Sequence, residues 1–199
     1  MAISYPLSLP THTGITSIEF RAINTVAYSR SPFTLAGQAH AYSGEAWEAD
    51  ITLPPMNRDD AEQWIAFLIS LRGQFGTFLL NDPTGTTARG TATSATITGS
   101  VGDRTVDCVV TSGKTLKAGD YFSLGSGTST RLYKVIKDYT GTGATTDLEI
   151  WPALRAAASS ASADLTSASG TFRLASNQQN WSVNQASIYG ITFGAFEAL

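Results

Sequence analysis

Residues that carry chemistry are scarce in this sequence. One cysteine, Cys108, stands among 199 residues, so no intramolecular disulfide can staple the fold. It lies in V-D-C-V-V, a strand-like run, and reads as a small buried side chain rather than a reactive thiol. There are two histidines. His12 sits in a polar N-terminal segment and His40 in mid-strand, and no G-x-S-x-G accompanies either, so a Ser-His-Asp hydrolase lacks its base. No C-x-x-C, H-x-x-x-H or EF-hand loop offers a metal site. Asp103 and Asp107 have the spacing of one strand face, where hairpin carboxylates are ordinarily solvated. S-L-G-S-G-T-S-T lacks both the G-K-[S/T] ending and the following helix of a phosphate loop, and reads as a hairpin turn. The sequence therefore gives no catalytic, cofactor-binding or metal-binding residue, and the expectation is a protein that is not an enzyme and uses no cofactor.

Charge is scarce as well. Charged residues make up 15% of the chain, the formal net charge is −3, and lysine and arginine are dispersed singly. A general nucleic-acid binder would carry a basic stripe. No apolar run approaches the roughly 18 residues of a membrane span, so no membrane insertion is expected. M-A-I-S-Y-P-L-S-L-P has neither the basic start nor the long apolar core of a signal peptide.

What is present is strand-forming sequence. Hydrophobic residues reach 42%, interspersed with Thr, Ser, Gly and Ala. I-T-S-I-E-F-R-A-I and T-V-A-Y-S-R-S read as two strands joined near Asn24. G-Q-A-H-A-Y and E-A-W-E-A-D-I-T-L read as a hairpin turning at Ser43-Gly44. In the last of these Trp47, Ala49, Ile51 and Leu53 alternate with Glu48, Asp50 and Thr52, so one face is buried and one is wet. Pro54-Pro55 ends it.

One helix is expected over about 58–72. Asn57 suits its N-cap, Asp60 adds negative charge to its first turn, and Gly73 suits a left-handed turn after its end. Ala61, Trp64, Ile65, Leu68 and Leu71 recur at helical spacing. Phe67 and Ile69 flank that stripe, so the apolar arc exceeds what one sheet needs and implies a second packing surface, from another layer or another copy. Trp47, Ile51, Leu53, Trp64, Ile65 and Leu68 are the expected core.

From Thr84 to Gly170 the composition shifts towards Thr, Ser, Ala and Gly while strands continue. This stretch reads as a small antiparallel β unit lying away from the rest, with 156–169 (A-A-A-S-S-A-S-A-D-L-T-S-A-S) as a mobile surface loop or a short helix. Clean strands return at the end, where Tyr189, Ile191 and Phe193 alternate with Gly190, Thr192 and Gly194. The fold class is mainly β: a sandwich-like or barrel-like domain over 1–83 and 171–199 with one α-helix, plus an inserted β unit over 84–170. A separate C-terminal domain from about 84 is the alternative boundary.

The ordered series from Ser31 to Pro83 resembles the N-terminal region of distal tail proteins and related minor tail proteins of long-tailed bacteriophages. It comprises Ser31-Pro32-Phe33, the W-x-A-x-I-x-L-P-P-M strand at Trp47–Met56, a helix carrying Trp64 with Phe67-Leu68, the Gly73–Gly76 loop, and T-F-L-L-N-D-P at Thr77–Pro83. L-K-A-G-D-Y-F-S-L-G-S-G, L-E-I-W-P-A-L-R and F-R-L-A-S-N-Q-Q-N-W-S-V resemble later stretches of such proteins. The resemblance implies a structural virion protein at the tail tip. Six copies would form a ring joining the tail-tube protein to the hub and fibre proteins, with DNA passing through the lumen without specific binding. Phe67, Ile69, Gln74 and Phe75 are then the candidate self-association residues. Many members of that family carry a separate carbohydrate-binding domain, and the Thr/Ser-rich unit here is unlike one, which counts against a receptor-binding role. The competing reading is a carbohydrate-binding β-module for host attachment using exposed aromatics such as Trp151 or Tyr139, with Trp181 a further open tryptophan.

Overall fold

The computed structural model describes residues 3–11 and 14–199; His12 lies outside the described residues. In chain order the elements are β1 (Ser17–Arg30), β2 (Gly37–Thr52), α1 (Arg58–Ser70), β3 (Phe78–Leu80), β4 (Ala95–Gly99), β5 (Thr105–Val109), β6 (Thr115–Leu116) and β7 (Tyr121–Leu124). They continue with β8 (Arg131–Val135), β9 (Tyr139–Thr140), β10 (Thr146–Trp151), β11 (Ala158–Ala163), β12 (Gly170–Leu174), β13 (Trp181–Val183) and β14 (Tyr189–Glu197). The fold is mainly β, with one α-helix, and its strand pairs are antiparallel.

One sheet has the order β1-β2-β14-β12-β3, with β13 paired to β14. Its strands come from both ends of the chain: Thr52 pairs with Thr192 and Leu80 with Gly170. Alternation sends Trp47, Ala49, Ile51 and Leu53 of β2 to the same side as Ile191, Phe193 and Ala195 of β14, and α1 covers part of that face. The helix begins where Asn57 Oδ1 accepts from the Asp60 N–H at 3.1 Å. It ends one residue earlier than Gly73 alone would set, because Arg72 already adopts φ 53° and Gly73 follows at φ 67°. Trp47, Ile51, Leu53, Trp64, Ile65 and Leu68 all lie in this buried cluster.

Phe67 belongs to the same cluster, which corrects its assignment to a self-association surface. It is 8% exposed and packs edge-on between Trp64 at 5.9 Å and Phe78 at 5.7 Å. The covering layer is β3 and the N-terminal segment beside it, where the Leu7 N–H donates to Thr77 O and the Leu79 N–H to Leu7 O, both at 2.9 Å. The second packing surface that the wide apolar arc required is supplied, on that side of the helix, by the same chain.

The second sheet has the order β11-β4-β5-β10-β8-β7 and closes on itself. Ser123 and Asp164 exchange backbone hydrogen bonds at 3.0 Å in both directions, joining β7 to the end of β11. Closure removes the exposed edges that an open sheet must guard. Ile97, Val106, Cys108, Phe122, Tyr133, Val135, Leu148 and Ile150 fill its interior. Segment 156–169 is therefore neither a mobile loop nor a helix: Ala158–Ala163 pairs with β4 as a closing strand. Its small side chains suit a tightly curved barrel wall, and its backbone bonds, rather than apolar bulk, hold it. The barrel does not lie away from the sheet either. Strands β7 and β8 are buried on both sides, sending Phe122, Tyr133 and Val135 into the barrel and Tyr121 and Leu132 into the sheet's core.

Trp64→Ala should destabilise the protein by roughly 3–5 kcal/mol, as large-to-small core changes do. Denaturant unfolding measures this, and a loss under about 1 kcal/mol would take Trp64 out of the core. Within the barrel, Asp120 is a second test. Burial alone would raise its pKa, but the N–H groups of Lys117, Arg89 and Gly90 and the Arg89 guanidinium hold it below the ordinary value. A depressed carboxyl stabilises the fold above its unfolded value, about 3.9, and that contribution disappears as pH falls through the lower folded value. Acid unfolding should therefore be shallower for Asp120→Asn than for the wild type, and parallel titrations would refute the assignment.

Candidate assembly interface

The outer half of the β1–β2 hairpin leaves the rest of the molecule. β14 pairs with β2 only over Glu48–Thr52, and β1 is the sheet's edge strand, so from Val26 to Ala41 both edges of the ladder are open. Between Arg21 and Gly44 every residue is exposed except Ser31, which is half-buried. The two turn signals read at Asn24 and at Ser43-Gly44 are not chain reversals. They fall at one level of a single hairpin, where the register slips between Asn24–Glu45 and Val26–Ala41 and bends the arm. The reversal is Ser31–Ala36.

The arm is amphipathic across its thickness. Opposite residues of an antiparallel ladder share a face. Val26 with Ala41 and Tyr28 with Ala39 form an apolar face, and the Tyr28 ring lies over Gly37. Ala27 with His40 and Ser29 with Gln38 form the other, where His40 also meets Tyr42 at 4.8 Å. His40 is thus an exposed arm residue.

The tip is built. The Ser31 N–H donates to Ala36 O at 2.9 Å, the Leu35 N–H to Ser31 O at 3.0 Å, and Arg30 Nε to Leu35 O at 3.1 Å. Ser31 Oγ accepts from the Phe33 and Thr34 N–H groups. Leu35 is held at φ 59°, uncommon for a leucine. Phe33 is 94% exposed and Leu35 61%.

The root is clamped to the barrel through Asn24 and Glu45, the last pair before the slip. Asn24 Oδ1 accepts from Trp151 Nε1 at 2.8 Å. The buried Glu45 carboxylate accepts from Arg104 at 2.7 and 2.9 Å and from the Ala153 N–H at 2.7 Å. Beside it, Glu197 accepts from Arg155 Nη2 at 2.8 Å and from the Trp47 N–H at 3.2 Å, while Arg155 also donates to Glu45 O. Trp47 Nε1 reaches Leu132 O at 3.0 Å. Nothing in the residue spacing announces this clamp. The one signal for it is that Glu45 and Glu197 fall in phase with the apolar positions of their strands, Glu45 with Trp47, Ala49 and Ile51, and Glu197 with Ile191, Phe193 and Ala195.

Of the other self-association candidates, Ile69 and Phe75 are exposed, at 58% and 69%. Phe75 packs one edge on Tyr5 at 6.1 Å. Gln74 is engaged within the chain, its side chain donating to Ala175 O at 2.9 Å and its N–H bonding Asn177. Tyr139 is buried, its hydroxyl donating to Cys108 O at 2.9 Å, and so offers no sugar platform. Trp151 stands edge-on to Trp47 at 4.4 Å. Burial pushes the Cys108 thiol up to about 11, only partly offset by its hydrogen bond with Tyr139. Among the described residues no group of His, Cys, Asp and Glu is arranged to hold a metal ion, and no helix is long and apolar enough to cross a membrane.

No protein-family model matches the chain, and no curated protein matches it.

Limited proteolysis reads the arm directly. Trypsin should cut first after Arg30, and chymotrypsin within 28–35, because this exposed backbone is held by its own hairpin alone. Fragment masses give the sites. A first cut within 156–169 would mean that β11 is not a stable strand.

Proposed function

We propose that this protein is a structural component of a long-tailed bacteriophage tail tip, one subunit of a six-membered ring. The ring joins the tail tube to the hub and fibre proteins and lets DNA pass. The observation that carries this reading is the arm: two long strands, bare on both edges and both faces, projecting from a well-packed body. An isolated two-stranded ribbon is at best marginally stable in water, and open edges are templates for pairing with another chain. An arm with Val26 and Tyr28 on one face, ending in Arg30, and Ser29, Gln38, His40 and Tyr42 on the other fits a place between a neighbour and an aqueous channel. The ordered motifs from Ser31 to Pro83 support the same reading, and the exposed Ile69 and Phe75 offer a second patch for a neighbour. Low charge suits a lumen past which DNA slides, since few cations are present to bind its phosphates.

A specific observation favours a second reading, carbohydrate binding. Two adjoining grooves run along the outer face of β2 and β14, lined by Asp50, Thr52, Gln178, Asn180 and Thr192, with the exposed Trp181 in the smaller. Amides and hydroxyls beside one aromatic are the groups that hold a sugar. Saturable glycan binding by a monomer that never enters a ring would favour this reading over the first.

Reconstruction of the tail tip tests the ring, with six copies around the tube axis as the expected result. Replacing Val26–Ala41 with a two-residue Asn-Gly turn removes no buried side chain, so the body should fold with its unfolding midpoint nearly unchanged while ring formation is lost. A tail tip without this chain, or with it present but lacking cyclic symmetry, would overturn the proposal.

A further inference from the structure

Each copy of this chain carries an apolar knob and an apolar hole. The hole is a groove of about 350 Å³ at the root of the arm, between the sheet's edge and the barrel. Trp47 and Tyr121 form its floor, Phe20 and Trp151 its walls, and Ile136 and Lys134 part of its rim. Lys134 lies 4.3 Å from the Tyr121 ring centre and donates to its hydroxyl at 3.0 Å, so the cation is drawn onto the floor rather than left to repel an apolar guest. Ile136 is half exposed at the groove. Such a groove is at the small end of binding-site volumes, about 300–1,000 Å³, and suits a few side chains rather than a helix.

The knob is the arm tip. Phe33 and Leu35 are exposed there on a turn fixed by backbone and side-chain hydrogen bonds, with Leu35 in the left-handed region. An exposed apolar tip that is already ordered by its own turn loses little freedom on binding.

We infer that the Phe33–Leu35 tip of one copy seats in the aromatic groove of the next. Three features on the same chain single out a second copy as the occupant. The groove wants an aromatic or branched guest, and Phe33 is the most exposed large apolar side chain of the described surface. Knob and hole lie on different patches, so their union is head-to-tail and propagates from copy to copy, closing into a ring when the rotation fits. The groove also lies beside its own arm's root, since Asn24 lines it. The tip stands six or more residues further out, roughly 20 Å at about 3.4 Å per residue. Each arm would thus end where its neighbour's begins. This inference rests on the ring reading and names the contact that would link its subunits.

Cysteine cross-linking tests it, because the native Cys108 is buried and its thiol is pushed up, leaving introduced thiols as the reactive ones. Leu35→Cys protein is mixed with Ile136→Cys protein carrying a mass tag, and treated with a short bis-maleimide at high protein concentration and in assembled tail tips. The expected product is the mixed dimer, in at least about tenfold higher yield than from Leu35→Cys with Val101→Cys, a control on an exposed barrel turn. Adding Phe33→Ala to the Leu35→Cys chain should reduce the product by a similar factor, since buried aromatic anchors dominate such contacts. Unchanged tryptophan fluorescence and circular dichroism of each variant establish that it is folded. No mixed dimer under either condition overturns the inference. A six-fold ring without that cross-link overturns the knob-in-groove contact and leaves the ring standing. The cross-link in open chains or dimers keeps the contact and overturns the closed ring.

Discussion

Two carboxylates buried in the seam between sheet and barrel constrain the rest of this structure. Glu45 and Glu197 stand on β2 and β14, in phase with the core, and each would be intolerable there alone. Leaving one buried charge unpaired typically costs 3–5 kcal/mol, a large part of the total stability of an ordinary domain. Arg104 and Arg155 answer them, and both arginines come from the barrel. The sheet therefore cannot bury its own strands correctly unless the barrel is docked in one orientation. An apolar seam would hold the two bodies together without fixing their angle. Charge-assisted hydrogen bonds require direction as well as distance, so this seam sets the angle too. Because Glu45 and its partner Asn24 are also the root of the arm, the same bonds fix where the arm points.

Much of the sheet body was legible in the sequence because its signals are local. The period-two pattern of Trp47–Leu53, the Asn57 cap and the helical spacing of Ala61–Leu71 each depend on a few neighbours. The middle unit was legible as strands but not as a closed barrel. Strands β7 and β8 are buried on both faces, and a run such as Tyr121–Leu124 carries no alternation to show which side faces what. Strand β11 was misread for a related reason. Its Ala and Ser residues look like a linker by composition, whereas a curved wall selects for small side chains. Residue spacing cannot express curvature.

The candidate interface divides in the same way. Phe67 looked surplus to the helix stripe because its cover, β3 and Leu7, lies elsewhere in the chain. The arm was broken into two hairpins because Asn24 and Ser43-Gly44 carry turn chemistry, and the same residue types serve a bulge. Only pairing partners distinguish the two, and those are a tertiary property. The aromatic groove gathers Phe20, Trp47, Tyr121 and Trp151 from across 130 residues of chain, so no window of sequence contains it.

The insertion of the barrel between β3 and β12 bears on how the chain finds its fold. The chain leaves the sheet at Leu80 and re-enters at Gly170, and those two residues are direct partners across the ladder. In an unfolded chain, bringing such distant residues together carries a loop-closure cost that must be met before the contact gives anything back. A barrel that forms before the sheet would draw its two ends together, turning the long loop into a short, stiff one, although only β4-β5 and β7-β8 of its own pairings join consecutive strands. A new protein emerging from the ribosome would hold β1, β2 and α1 unfinished until the last strand, β14, arrives to sit beside β2. Throughout that interval the future neighbour of β2 is missing and its edge is open, so the order of synthesis leaves the sheet, rather than the barrel, most exposed to wrong partners.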